Sequence, residues 1–83
     1  MPSINSILAV SFFLDAAIQS KQTRFVEGLV YKTFFLSVPT ITVDEATEAM
    51  AFLLRSGQLE KSGLTYTLTS EAISNLNMDS EKN

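Results

Sequence analysis

Cysteine and histidine are both missing from the 83-residue chain. Without cysteine there is no disulfide framework, no thiolate nucleophile and no sulfur donor for a metal. Without histidine there is no imidazole to activate a serine or threonine, and the common zinc sites lose their remaining donors. Positive charge is scarce as well: six Lys and Arg stand against nine Asp and Glu, a net charge of −3. Nucleic-acid modules more often carry a basic face, so any such reading must rest on where the charges lie rather than on their sum. No glycine-rich phosphate loop, metal-ligand spacing or nucleotide motif occurs. An enzyme is not expected, and neither a cofactor nor a metal is implied. Asp44, Glu45 and Glu48 form a small carboxylate cluster, which helix capping and a solvated face account for.

The length fits one domain, placed at residues 1–76 with a flexible polar tail at 77–83. A chain this short buries a limited share of its surface, so pairing with itself or a partner would add stability. Hydrophobic residues make up 46% and charged residues 18%, which is apolar for so small a chain and points to a buried oligomer surface. The excess sits at the amino end. From Ile4 to Ile18 nearly every position is apolar, following Ser3 as a candidate N-cap. A membrane helix needs about 20 apolar residues, and this run is shorter and broken by Asn5, Ser6 and Asp15. A signal peptide wants a positive leader, and none precedes it. A buried first helix is expected, with no membrane association and a cytoplasmic location. Its apolar residues occupy more than one face. Either a small core surrounds the helix, or one side packs on the domain and the other on a second copy, giving a homodimer through this helix.

Gln19 to Thr23 is a polar connector. In the stretch from Phe25 to Leu36, the residues Phe25, Val26, Leu29, Val30, Thr33, Phe34 and Leu36 can share a helix face, with Glu27, Lys32 and Ser37 outward. Gly28 and the β-branched residues weaken that helix, and a strand over Leu29 to Val38 competes with it. Val38-Pro39-Thr40-Ile41 then reads as a turn, because Pro39 breaks a helical ladder.

The most strongly specified stretch is Thr42 to Ser74. Thr42 and Glu45 have the spacing of a capping box. At about 100° per residue, Val43, Ala46, Ala49, Met50, Leu53 and Leu54 share one face of the following helix. Asp44, Glu48, Ala51 and Arg55 point the other way, with Glu45, Thr47 and Phe52 on the flanks. Gly57 supplies the left-handed stop. A hairpin follows. A two-residue Ser62-Gly63 turn sets Lys61 opposite Leu64, Glu60 opposite Thr65, Leu59 opposite Tyr66 and Gln58 opposite Thr67. That register sorts the apolar residues from the polar ones. Thr69 or Ser70 caps a last short helix containing Ala72, Ile73 and Leu76.

A capped helix, a glycine stop, a two-stranded hairpin and a closing helix form the second half of a winged helix-turn-helix domain. The expected class is therefore mainly α with a small β-hairpin (α+β): three helices, a two-stranded wing and a short C-terminal helix. The run Leu53-Leu54-Arg55-Ser56-Gly57-Gln58-Leu59-Glu60-Lys61, followed by Tyr66-Thr67-Leu68-Thr69, resembles the recognition helix and wing of MarR- and PadR-type transcriptional regulators. The likeness covers the carboxyl-terminal half only. It departs from those proteins at Gln58, where they usually carry leucine, and at Ala72, where they often carry glycine.

The resemblance implies DNA-associated transcription control, with the 42–56 helix in the major groove and the 58–68 wing beside it. The contacting residues would be Asp44, Glu45, Thr47, Glu48, Arg55, Lys61 and Ser62. The acidic residues among them favour a second expectation: a winged-helix module that meets a basic protein partner without touching DNA.

Overall fold

The computed structural model describes residues 3–76, so the expected tail at 77–83 lies outside the described residues. The chain runs α1 (Ile4–Ser20), β1 (Arg24–Val26), α2 (Glu27–Ser37), α3 (Val43–Arg55), β2 (Leu59–Ser62), β3 (Thr65–Leu68) and α4 (Ser70–Asn75). The strands form one antiparallel sheet in the order β1-β3-β2. The class is α+β and mainly helical, but the sheet has three strands where a two-stranded hairpin was expected.

Helix boundaries follow local chemistry. Ser3 caps α1 by accepting the Ser6 amide, and Lys21 ends it with φ 56°. Pro39 occupies the second position of a turn closed by the Ile41 amide donating to the Val38 carbonyl at 2.9 Å. Thr42 and Glu45 form the full capping box of α3. Gly57, with φ 78°, turns the chain out of α3 into β2, a backbone region costly for any residue with a Cβ. Thr69 caps α4 by accepting the Ala72 amide.

The core is built around Phe13 of α1, Phe34 and Val30 of α2, and Leu53 of α3, all fully buried. The Phe13 ring meets Phe25 at 4.9 Å and Phe34 at 6.0 Å, both edge-to-face, an arrangement that adds about 1 kcal/mol per pair beyond area burial. Leu59, Tyr66 and Leu68 cover this cluster from the sheet side.

Four expectations are corrected. First, Phe25 and Val26 belong to β1, not to α2. Arg24 pairs with Thr67, Phe25 with Tyr66 and Val26 with Thr65. Second, the hairpin turn is Gly63-Leu64, not Ser62-Gly63. Leu59 faces Leu68, Glu60 faces Thr67, Lys61 faces Tyr66 and Ser62 faces Thr65. Gly63 alone has positive φ, at 65°, the pattern of a turn with glycine first. Each pairing moves by two residues, so every side chain keeps its face of the sheet. This register sets two buried leucines opposite one another and releases Leu64 to solvent at 76% exposure. Third, Leu36 and Val43, expected on core faces, are 71% and 70% exposed. They lie one residue from the α2 C-terminus and at the first position of α3, where a helix has little core beneath it. Fourth, the core does not surround α1. Ser6, Ala9, Val10, Phe13 and Ala17 face inward, while Ile4, Ile7, Leu8 and Phe12 remain exposed. No helix among the described residues is long and apolar enough to cross a membrane.

Candidate functional site

The outward side of α3 carries five of the seven candidate contact residues. Asp44, Glu45, Thr47, Glu48 and Arg55 line one open depression together with Ala51. Helical spacing makes this inevitable once Ala46, Ala49, Met50 and Leu53 turn inward.

Two of the three carboxylates are not free side chains. Glu45 Oε1 accepts the Thr42 amide at 2.9 Å and the Asn5 side-chain amide at 3.1 Å. The Thr42 amide, and after it Asn5, hold the Glu45 carboxyl below its usual range. Glu48 Oε1 lies 2.7 Å from the Ser6 hydroxyl. Ser6 is 1% exposed, so its hydroxyl needs a partner inside the protein. Its single hydrogen can reach the Glu48 carboxylate or the Glu45 carbonyl at 2.9 Å, and the charged oxygen is the stronger acceptor. The first turn of α1 is thus fastened to α3 through residues that spacing alone places outward. Asp44, Thr47 and Arg55 stay exposed.

Lys61 and Ser62, grouped by sequence at one hairpin tip, point to opposite faces of the sheet because strand residues alternate. Lys61 lies on the inner face, its Nζ 5.9 Å from the centre of the Tyr66 ring. Ser62 lies on the outer face, where it shares a polar depression with Arg24, Thr65 and Thr67.

Tyr31 of α2 is half-buried against the core. Its ring packs edge-to-face on Phe34 at 5.8 Å. Burial first, then Tyr66 and Glu27, push its phenol up, while the Thr47 side chain and Lys61 pull the other way. Tyr66 is also pushed up, by burial first and then by the Glu27 carboxylate. Sequence reasoning missed the Arg24, Thr65 and Thr67 face, because a three-residue strand is too short for alternation to register.

Among the described residues no group of three or more acidic side chains is placed to hold a metal ion. Compared with protein-family models, with curated proteins and with solved structures, the chain matches none.

Proposed function

We propose that the chain is a winged helix-turn-helix module of DNA-associated regulation, with α3 entering the major groove and the β2–β3 hairpin acting as the wing. The observation that carries this reading is the capping-boxed α3 handing over through Gly57 directly to the β2–β3 hairpin. The order helix, strand, helix, helix, hairpin with β1 beside β3 supports the same assignment. Thr47, Ala51 and Arg55 would approach the groove, with Lys61 toward phosphates. The engagement of Glu45 and Glu48 by α1 supports a structural origin for the acidic residues on this helix.

Few cations are available, so binding to duplex DNA is expected to be weak and strongly salt-dependent. A gel-shift or anisotropy titration at low and high salt tests this. Retention of duplex at low salt that disappears at high salt is expected, with Arg55→Ala and Lys61→Ala each lowering the salt slope by about one. No retention of any duplex at low salt by monodisperse protein would remove the proposal.

A second reading rests on the depression where Asp44, Glu45 and Glu48 lie together. There the same surface receives a basic protein segment, and charge complementarity speeds the encounter. Asp44→Asn separates the two, since it strengthens DNA binding and weakens binding to a basic partner.

A further inference from the structure

We propose that the outer face of the sheet binds a phosphate group, seated over Thr65 and Thr67 of β3 and held by Arg24 of β1 and Ser62 of β2. The strand register brings these side chains together. Arg24 pairs with Thr67, and Thr67 pairs with Glu60. Val26 pairs with Thr65, and Thr65 pairs with Ser62. Opposed residues share a face of a sheet, so the outer face carries two short rows, Arg24-Thr67-Glu60 and Val26-Thr65-Ser62. The inner face is used by the core, through Phe25, Leu59, Tyr66 and Leu68.

Arg24, Ser62, Thr65 and Thr67 line an open depression of about 310 Å³. The two threonines are half-buried, while Arg24 and Ser62 stand exposed beside them. All four side chains offer hydrogen-bond donors. Among the described residues, the one side-chain hydrogen bond that reaches any of them ends on the Arg24 carbonyl, from the Gln22 amide at 2.9 Å. The guanidinium and the three hydroxyls are left free to donate outward.

Charge selects the ligand. Arg24 is the one cation in the two rows, and no carboxylate lines the depression, so a metal ion or a basic group finds no acidic side chain there. A guanidinium fork matches two oxygens of a phosphate, and a third oxygen can accept from the threonine hydroxyls. Glu60 stands on the far side of Thr67, two strand spacings or roughly 10 Å from Arg24. It opposes an anion over β3 without competing for the Arg24 guanidinium. The site does not depend on what α3 contacts. Its phosphate comes either from a small phosphorylated molecule or from a nucleic-acid backbone, and the test separates the two.

Amide chemical shifts of the full chain are followed during titration with inorganic phosphate, and again with sodium chloride at matched ionic strength. Saturable shifts at Arg24, Ser62, Thr65 and Thr67 are expected with phosphate and not with chloride. Arg24→Gln is expected to weaken phosphate binding about tenfold or more. Arg24→Lys is expected to recover only part of the loss, because an ammonium cannot make the paired contact. Glu60→Gln is expected to tighten binding. Positions 24 and 60 are exposed, so circular dichroism is expected to be unchanged in all three variants. A single-stranded oligothymidylate is then titrated. Shifts of the same residues at lower concentration than inorganic phosphate requires assign the site to a nucleic-acid backbone, and a weaker response assigns it to a small phosphorylated molecule. Absence of saturable phosphate shifts at these residues overturns the proposal. So do equal shifts with chloride, or an Arg24→Gln protein that binds phosphate as tightly as the parent.

Discussion

The Ser6 hydroxyl sits 2.7 Å from Glu48 Oε1, and this contact ties the first turn of α1 to the middle of α3. It is a buried hydroxyl held by a half-exposed carboxylate on a helix where Asp44, Thr47 and Arg55 face solvent. The negative charge along α3 therefore has work inside the fold as well as any it performs outside.

Replacing Ser6 by alanine removes the donor and leaves Glu48 without its shortest contact. A loss of about 1.5–3 kcal/mol is expected, the usual cost of one hydrogen bond to a charged group. Urea denaturation measures it. A Ser6→Ala protein as stable as the parent would show that the contact contributes nothing.

The capping box of α3 predicts a cost and a pH dependence. Thr42→Ala is expected to cost about 1 kcal/mol, with Thr42→Ser recovering most of it. The folded state lowers the Glu45 carboxyl, chiefly through the Thr42 amide and then Asn5. A lowered carboxylate stabilises the fold above its ordinary value, and that contribution disappears as pH falls through the folded value. Stability of the parent chain should therefore decline on acidification below about pH 4.5. Glu45→Gln, which can still accept from the Thr42 amide, should flatten that decline. An unchanged acid slope in Glu45→Gln would assign the decline to other groups.

The two tyrosines give an alkaline signal. Both phenols are pushed up, burial being the leading cause in each. Raised phenols stabilise the fold fully below pH 10, and the contribution is lost as pH rises through their folded values. Phenolate absorbance should therefore develop above the range of free tyrosine. Glu27→Gln should move both titrations down, since the Glu27 carboxylate opposes ionisation of each. Phenols that titrate as free tyrosine would contradict the described packing.

The hairpin turn makes a direct comparison possible. Gly63 has φ 65° and Leu64 is 76% exposed. Gly63→Ala should cost about 1–2 kcal/mol through strain at positive φ, and Leu64→Asn should cost almost nothing. A large loss from Leu64→Asn would favour the register that puts Leu64 opposite Lys61.

Legibility in the sequence followed the range of the interactions. Thr42 with Glu45, Gly57, Pro39 and Thr69 are local devices, and each sits where its neighbours along the chain require it. The face of α3 followed from spacing, because Ala46, Ala49, Met50 and Leu53 repeat cleanly. What escaped depended on distant partners. Arg24 to Val26 becomes a strand only because Thr65 to Thr67 offers an edge. Leu59 faces Leu68 rather than Tyr66 because the turn falls at Gly63-Leu64. Glu48 points outward by helical angle and is still recruited by Ser6, forty-two positions earlier in the chain. Lys61 and Ser62 were rightly placed in the hairpin, but the alternation of strand side chains sends them to different surfaces.

The proposed DNA contact through α3 and the hairpin is tested most directly by amide chemical shifts of the full chain during titration with a short duplex at low salt. The account predicts that perturbations concentrate at Thr47, Ala51, Arg55 and Lys61, fade as salt is raised, and spare Ile4, Leu8 and Phe12 on α1. Shifts confined to α1, or no shifts at any duplex concentration, would contradict it.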